Sequence, residues 1–281
     1  MDAAVTWAQA MAWTHEVAFS PHEPAQRHFT TSIDVGDHIA RLVVQRCRAA
    51  AARHGIDRPW IVDVGAGSGR LLRQLLDLGF PADRLIGVDV RPAPDLPVWW
   101  IRGSAPRCLP EVEGLVFAHE FLDDIPCDVV HDDHVRTVAG GRGPVAGAAD
   151  RQWAATWGDG PNGRHRDEVW SRIVACVRAG EAIAVDYPRS EPVGHRTGRR
   201  LPAQPDGATD ISAGVEFRAL RARTGGRIVP QHRILAKSVA HTVQGQAELA
   251  VLRDRAGLGG FQWLLTDVPR CPESARLADP R

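Results

Sequence analysis

An apolar run enters three alternating glycines at Trp60-Ile61-Val62-Asp63-Val64-Gly65-Ala66-Gly67-Ser68-Gly69-Arg70. Glycine removes the side chain that would hold a ligand off the backbone, and a helix opening just after the turn offers free N–H groups. A nucleotide-type cofactor uses such a turn. Dinucleotide sites want G-x-G-x-x-G, but here the third glycine comes one residue early, at Gly69, and Arg70 takes its place. Asp63, Gly65, Ala66, Gly67, Ser68 and Gly69 are the first candidate cofactor residues. Asp89 closes Leu85-Ile86-Gly87-Val88-Asp89, 20 positions after Gly69. A carboxylate there can accept hydrogen bonds from both hydroxyls of a ribose. A third segment, Leu115-Val116-Phe117-Ala118-His119-Glu120-Phe121-Leu122-Asp123-Asp124-Ile125-Pro126, ends an apolar run in carboxylates. Glu120 and Asp123 are the candidate catalytic residues. They share a face if the stretch turns helically. A carboxylate cluster orients an amine or, bidentately, a guanidinium, and can take part in removing its proton.

These residues converge only if strands and helices alternate. Residues 60–64, 84–90, 98–101 and 115–118 read as strands, and 68–78 as a helix that buries Leu71, Leu72, Leu75 and Leu76. The pattern predicts an α/β fold: a mostly parallel sheet with helices on both faces, binding ligands at the carboxyl ends of its strands. Residues 1–55 read as an N-terminal helical segment packing on the core, with helices at 3–13 and 37–54, and residues 56–281 as the main domain. A β-rich insertion is expected at about 127–163, where glycines punctuate pieces at 135–138 and 152–157, with Trp153 and Trp157 as alternating hairpin residues. A helix over 167–178 should end at Gly180, followed by a strand at 182–187. A basic loop with Arg189, His195, Arg196, Arg199 and Arg200 then spans 188–210, either solvated or acting as a lid or acidic-partner contact. Helices at 213–223 and 246–256 and strands at 228–235 and 261–265 complete the chain. Trp99-Trp100 reads as core or as adenine-adjacent.

The 281 residues carry 34 basic and 34 acidic side chains, so neither nucleic acid nor an anionic membrane is an expected partner. Nothing approaches the apolar length of a bilayer span, and Met1-Asp2-Ala3-Ala4 lacks the basic run of a secretory leader. Five scattered cysteines, with no CxxC, indicate neither a disulfide framework nor a zinc knuckle, which points to a reduced, cytoplasmic setting. His131-Asp132-Asp133-His134 invites a metal reading. In an extended strand no single face would collect three of these ligands, so no metal is assigned.

The Gly65-Ala66-Gly67-Ser68-Gly69 spacing resembles motif I of class I S-adenosylmethionine methyltransferases. Five segments together resemble the MidA family: Phe29-Thr30-Thr31-Ser32, the motif I run from Val62 to Leu71, His119-Glu120-Phe121-Leu122-Asp123-Asp124-Ile125-Pro126, Ala184-Val185-Asp186-Tyr187, and Asp210-Ile211-Ser212-Ala213-Gly214-Val215-Glu216-Phe217. The likeness runs from about residue 28 to 266. It implies a class I methyltransferase (Rossmann-like) fold with S-adenosyl-L-methionine as cofactor. It adds Thr31, Ser32 and Glu120 to the cofactor-binding set, and it implies a protein or peptide substrate methylated on arginine. His119 stands for the family's Asn, Gly214 for its His, and Ile33-Asp34 for its Pro-Glu. The Asn/Asp-Pro-Pro-aromatic motif of adenine- and glutamine-amino methyltransferases is absent. The acidic adenine residue that many methyltransferases carry after the third strand is missing too, and a backbone contact or Ser104 is left to serve. A small-molecule N- or O-methyltransferase and a non-catalytic cofactor-binding assembly factor remain the alternatives.

Overall fold

The computed structural model describes residues 5–18, 31–196, 199–206 and 209–270. Phe29 and Thr30 of the first resemblance segment, and Cys271, lie outside them. The chain begins with α1 (Trp7–Ala18) and α2 (His38–His54). It then alternates through β1 (Trp60–Val64), α3 (Arg70–Asp77), β2 (Leu85–Asp89), β3 (Trp99–Arg102) and β4 (Val112–His119). The insertion follows as β5 (Val129–His131), β6 (His134–Arg136), β7 (Arg142–Val145), α4 (Ala148–Trp157) and β8 (Gly160–Pro161). Next come α5 (Arg164–Ala175), β9 (Val177–Asp186), β10 (Val193–Arg196), β11 (Arg199–Pro202), β12 (Asp210–Ser212), α6 (Phe217–Thr224), β13 (Arg227–Pro230), α7 (Gln231–Ile234), α8 (Val243–Arg253) and β14 (Gln262–Val268).

Seven strands form the main sheet in the order β13-β14-β9-β4-β1-β2-β3. The pairs from β9 through β3 are parallel, but β14 runs antiparallel to both β9 and β13. The sheet is therefore mixed, with its reversed strand at the end that repetition of βαβ units does not reach. Side chains alternate across it. Ile61, Leu85, Phe117 and Ile183 pack with Ile39, Val43, Leu71 and Leu75 of α2 and α3 on one face. Val62, Val116, Ala118 and Ala182 pack with Trp170, Ile173, Phe217 and Leu220 of α5 and α6 on the other. Helices cover both faces because both alternating sets are apolar.

Register does the positioning. Val64 pairs with Val88 on one side and Ala118 on the other. The residues that come next, Gly65, Asp89 and His119, therefore emerge side by side at one edge of the sheet.

Several sequence expectations give way. Residues 152–157 lie in α4, not in a hairpin: Trp153 and Trp157 are spaced i, i+4, and the Trp153 indole donates to buried Asp167 at 2.7 Å. Gly180 does not end a helix. It sits inside β9 at φ +131, paired with Gly114 at φ +144, and a Cβ at either would run into the neighbouring backbone. The run at 188–210 is not simply a loop, since β10 pairs with both β11 and β12. The strand expected at 228–235 turns into α7 at Gln231. Trp99 is 62% exposed on the edge strand, so only Trp100, which closes over Gly87, joins the core. The His131–His134 run forms a tight hairpin with Asp132 and Asp133 at φ +48 and +64. Its two histidines face each other across the strands. Among the described residues no helix is long and apolar enough to cross a membrane, and Cys47, Cys108, Cys127 and Cys176 are unpaired.

Candidate functional site

The glycine turn leaves β1 still bonded to β2, with Gly65 N–H and Ala66 N–H both donating to the Val88 carbonyl at 2.9 and 3.2 Å. Gly65, Gly67 and Gly69 all have positive φ, between +57 and +77. A side chain would strain the path at each of these three positions. Asp89 fixes the turn from the next strand: its Oδ2 accepts from Gly67 N–H at 2.8 Å and its Oδ1 from Arg91 N–H at 2.8 Å. Each carboxylate oxygen keeps a second lone pair for a ligand hydroxyl.

A cleft of about 620 Å³ opens over this turn. Asp63, Gly65, Ala66, Gly67, Ser68, Asp89, Glu120 and Thr31 line it. Two expected members do not. Gly69 turns its Cα toward Pro94 and Leu96, where a Cβ would lie 2.9 Å from each side chain. Ser32 is fully buried behind the wall, where its N–H donates to Glu120 Oε1 at 3.4 Å and its Oγ accepts from Gln231 Nε2 at 3.0 Å. The Trp263 indole in turn donates to Gln231 Oε1 at 3.1 Å. Ser32 thus places Glu120 and does not face the cleft. Gly103, Ser104 and Ala105, after β3, line the far end beyond Asp89.

Glu120 follows β4 directly, with φ +48 and its N–H bonded to the Val185 carbonyl at 2.8 Å. Burial, and then the nearby Asp186, hold its carboxyl well above the ordinary carboxylate range. His119 lies beside it, Nδ1 to Oε1 3.5 Å, stacked on Phe117 and near Phe261. Burial lowers this imidazole to about 3, so it is neutral. Residues 121–126 form a turn, not a helix. Glu120 and Asp123 consequently share no helical face. Asp123 is 6% exposed and lines a second cleft of about 690 Å³, together with Tyr187, Ser190, Asp210, Ser212, Leu258 and Phe261. Glu120 and Asp124 line both clefts, so the two meet at this one wall.

Two residues hold that wall. Asp186 Oδ2 accepts from the N–H groups of Leu122 and Asp123 at 3.1 and 3.2 Å. Arg166, 1% exposed, donates to the carbonyls of Asp123, Ile125, Ala213 and Gly214 at 2.7 to 3.1 Å. Arg166 has no signal in the sequence: it carries no motif and stands just before the helix expected at 167–178. Asp34, which the sequence marks only as a departure from the Pro-Glu of the MidA pattern, pairs with Arg70 at 2.9 Å at the cleft edge. At Gly214 a side chain would strike the backbone of Pro188 and Ser190, so the His that the MidA pattern has at this position has no room there.

No protein-family model and no curated protein matches the chain. Among solved structures, a COG1565 superfamily member from Burkholderia thailandensis, described as a methyltransferase candidate and bound to S-adenosyl-homocysteine, aligns with TM-score 0.73 and 18% identity over 95% of this chain and 89% of that one. A native structure of a COG1565 superfamily protein from the same organism aligns at 0.69 and 19%, over 95% and 88%. The chain has their fold.

Dry carboxylates set the pH response. Burial pushes Asp63, Asp167, Asp186 and Asp210 up to about 7. A carboxyl raised on folding favours the folded state most when protonated, and that contribution is lost as pH rises through the folded value. His119 opposes this only below its ordinary value of 6.5. The ligand-free chain should therefore melt at a higher temperature at pH 6.5 than at pH 8. Differential scanning fluorimetry across that window checks it, and a flat or reversed trend would show these carboxyls to be solvated.

Proposed function

We propose that the chain is an S-adenosylmethionine-dependent methyltransferase of MidA type, acting on a protein side-chain nitrogen, arginine by resemblance. The observation that carries this is the shared wall: Glu120 and Asp124 border both the cleft over the glycine turn and the second, acidic cleft. One cleft suits the nucleoside and the other the acceptor, so the reacting atoms would meet beside Glu120.

The residues present fit the cofactor. Asp89 would take the ribose hydroxyls and the backbone around Gly67 would approach the ligand closely. Asp63, 3% exposed at the base, would pair with the amino group of the methionine part. The edge at Gly103 to Ala105 would meet the base without an acidic side chain. When bound, the sulfonium supplies an electrophilic methyl group, so the protein's task is to align a nucleophile with it. Glu120 would orient the acceptor nitrogen from the opposite side and receive its proton. Asp123, Asp124 and Asp210 would make the acceptor cleft favourable to a cation.

Isothermal titration tests the cofactor half. Wild type should bind S-adenosylmethionine, and Gly67→Val should not, because its backbone stands at φ +57, where a β-branched residue is strained. A folded wild type that takes up none ends the reading. For the acceptor, transfer from labelled S-adenosylmethionine should reach arginine peptides in preference to small amines or phenols. The reverse preference would leave a small-molecule methyltransferase.

A further inference from the structure

At the junction of the two clefts, His15, which the methyl-transfer reading does not use, meets two of the acceptor cleft's carboxylates. His15 comes from α1, Asp124 from the turn after β4, and Asp210 opens β12. The Nε2 of His15 lies 3.7 Å from Asp124 Oδ1 and 3.7 Å from Asp210 Oδ1. One donor atom from each residue falls within 4.8 Å of the other two, the one such set of three among the described residues. Ligands of a tetrahedral ion, at bonds of about 2.1 Å, stand roughly 3.4 Å apart, so the two His15 spacings need only a small contraction.

A second observation points the same way. The Asp210 side chain is only 4% exposed, and its Oδ1, aimed at His15, accepts no hydrogen bond among the described residues. A buried carboxylate oxygen without a donor is costly and calls for a cation. We propose that His15, Asp124 and Asp210 form a binding site for a divalent transition-metal cation. One imidazole with two carboxylates is a mixed N/O donor set that suits Mn²⁺, Fe²⁺ or Zn²⁺ better than the all-oxygen ions. His15 belongs to α1, so the ion would tie that helix to the clefts' shared wall. The alternative occupant of the same gap is the proton of a charged His15, bridging the carboxylates with no ion.

The experiment uses the untagged full chain, stripped with a chelator and titrated with Mn²⁺ and with Zn²⁺ by calorimetry, with metal content read after gel filtration. The expected result is one ion per chain, held at least about tenfold more weakly in His15→Gln and Asp210→Asn, since even an outer-shell partner is worth that much. Circular dichroism checks folding, and Asp124→Asn, at a more exposed position, serves should Asp210→Asn fail to fold. A wild type that takes up no ion, or uptake that the variants keep, overturns the site and leaves the proton bridge. The titration needs no nucleoside, so its outcome is separate from that of the methyltransferase reading.

Discussion

Glu120→Gln should bind S-adenosylmethionine as the wild type does and lose methyl transfer by about 10²- to 10⁴-fold, the usual worth of a positioned proton acceptor. The substitution keeps the side chain's size and the oxygen that Ser32 N–H reaches at 3.4 Å, so the wall should stand. What it removes is the group able to ionise. Burial, and then Asp186, hold that carboxyl well above the ordinary carboxylate range. A cationic acceptor beside it would favour the ionised form. Single-turnover assays beside calorimetry separate the two effects. Undiminished turnover would remove Glu120 from the mechanism, and lost cofactor binding would make it a nucleoside contact only.

Arg166→Met should be the most damaging change to stability. It strands the carbonyls of Ile125, Ala213 and Gly214 in a dry interior and leaves that of Asp123 with the Ala213 N–H at 3.2 Å. At roughly 1–3 kcal/mol for each orphaned group, the loss is about 3 kcal/mol or more, a large part of a typical domain's 5–15 kcal/mol. It also withdraws the cation that offsets buried Asp123 and Asp186. Arg166→Lys should rescue little, because one ammonium cannot fork to four carbonyls. Urea unfolding checks this, and a midpoint close to wild type would show that water can replace the guanidinium.

The contrast between these two residues explains what the sequence could reveal. The glycine turn, Asp89 and Glu120 were legible because each stands at the end of an apolar strand, and strand ends in a parallel sheet meet. Facing was not legible. Gly69 belongs to the motif by spacing, yet packs on Pro94 and Leu96; Ser32 belongs by resemblance, yet works from behind. Asp123 was given a helical face because three-residue spacing permits one, but Asp186 and Arg166 fold that stretch into a turn. Residues 152–157 read as strand pieces because neighbouring glycines suggested hairpins, whereas the i, i+4 tryptophans bury one side of a helix. The reversed β14 was hidden too, since its apolar pattern carries no direction. Arg166 left no local trace, because its partners come from two distant segments.

The reach of those bonds has a consequence for how the molecule is made. The clasp on the glycine turn joins residues 22 apart, Gly67 and Asp89. The clasp on the acidic turn runs from Arg166 back 43 residues to Asp123 and forward 48 to Gly214. During synthesis, which proceeds from the N-terminus, the glycine turn has its Val88 and Asp89 partners once β2 has left the ribosome. The acidic turn must wait for residue 214, so a nascent chain passes through a stage with a finished glycine turn and an unfastened row of acids.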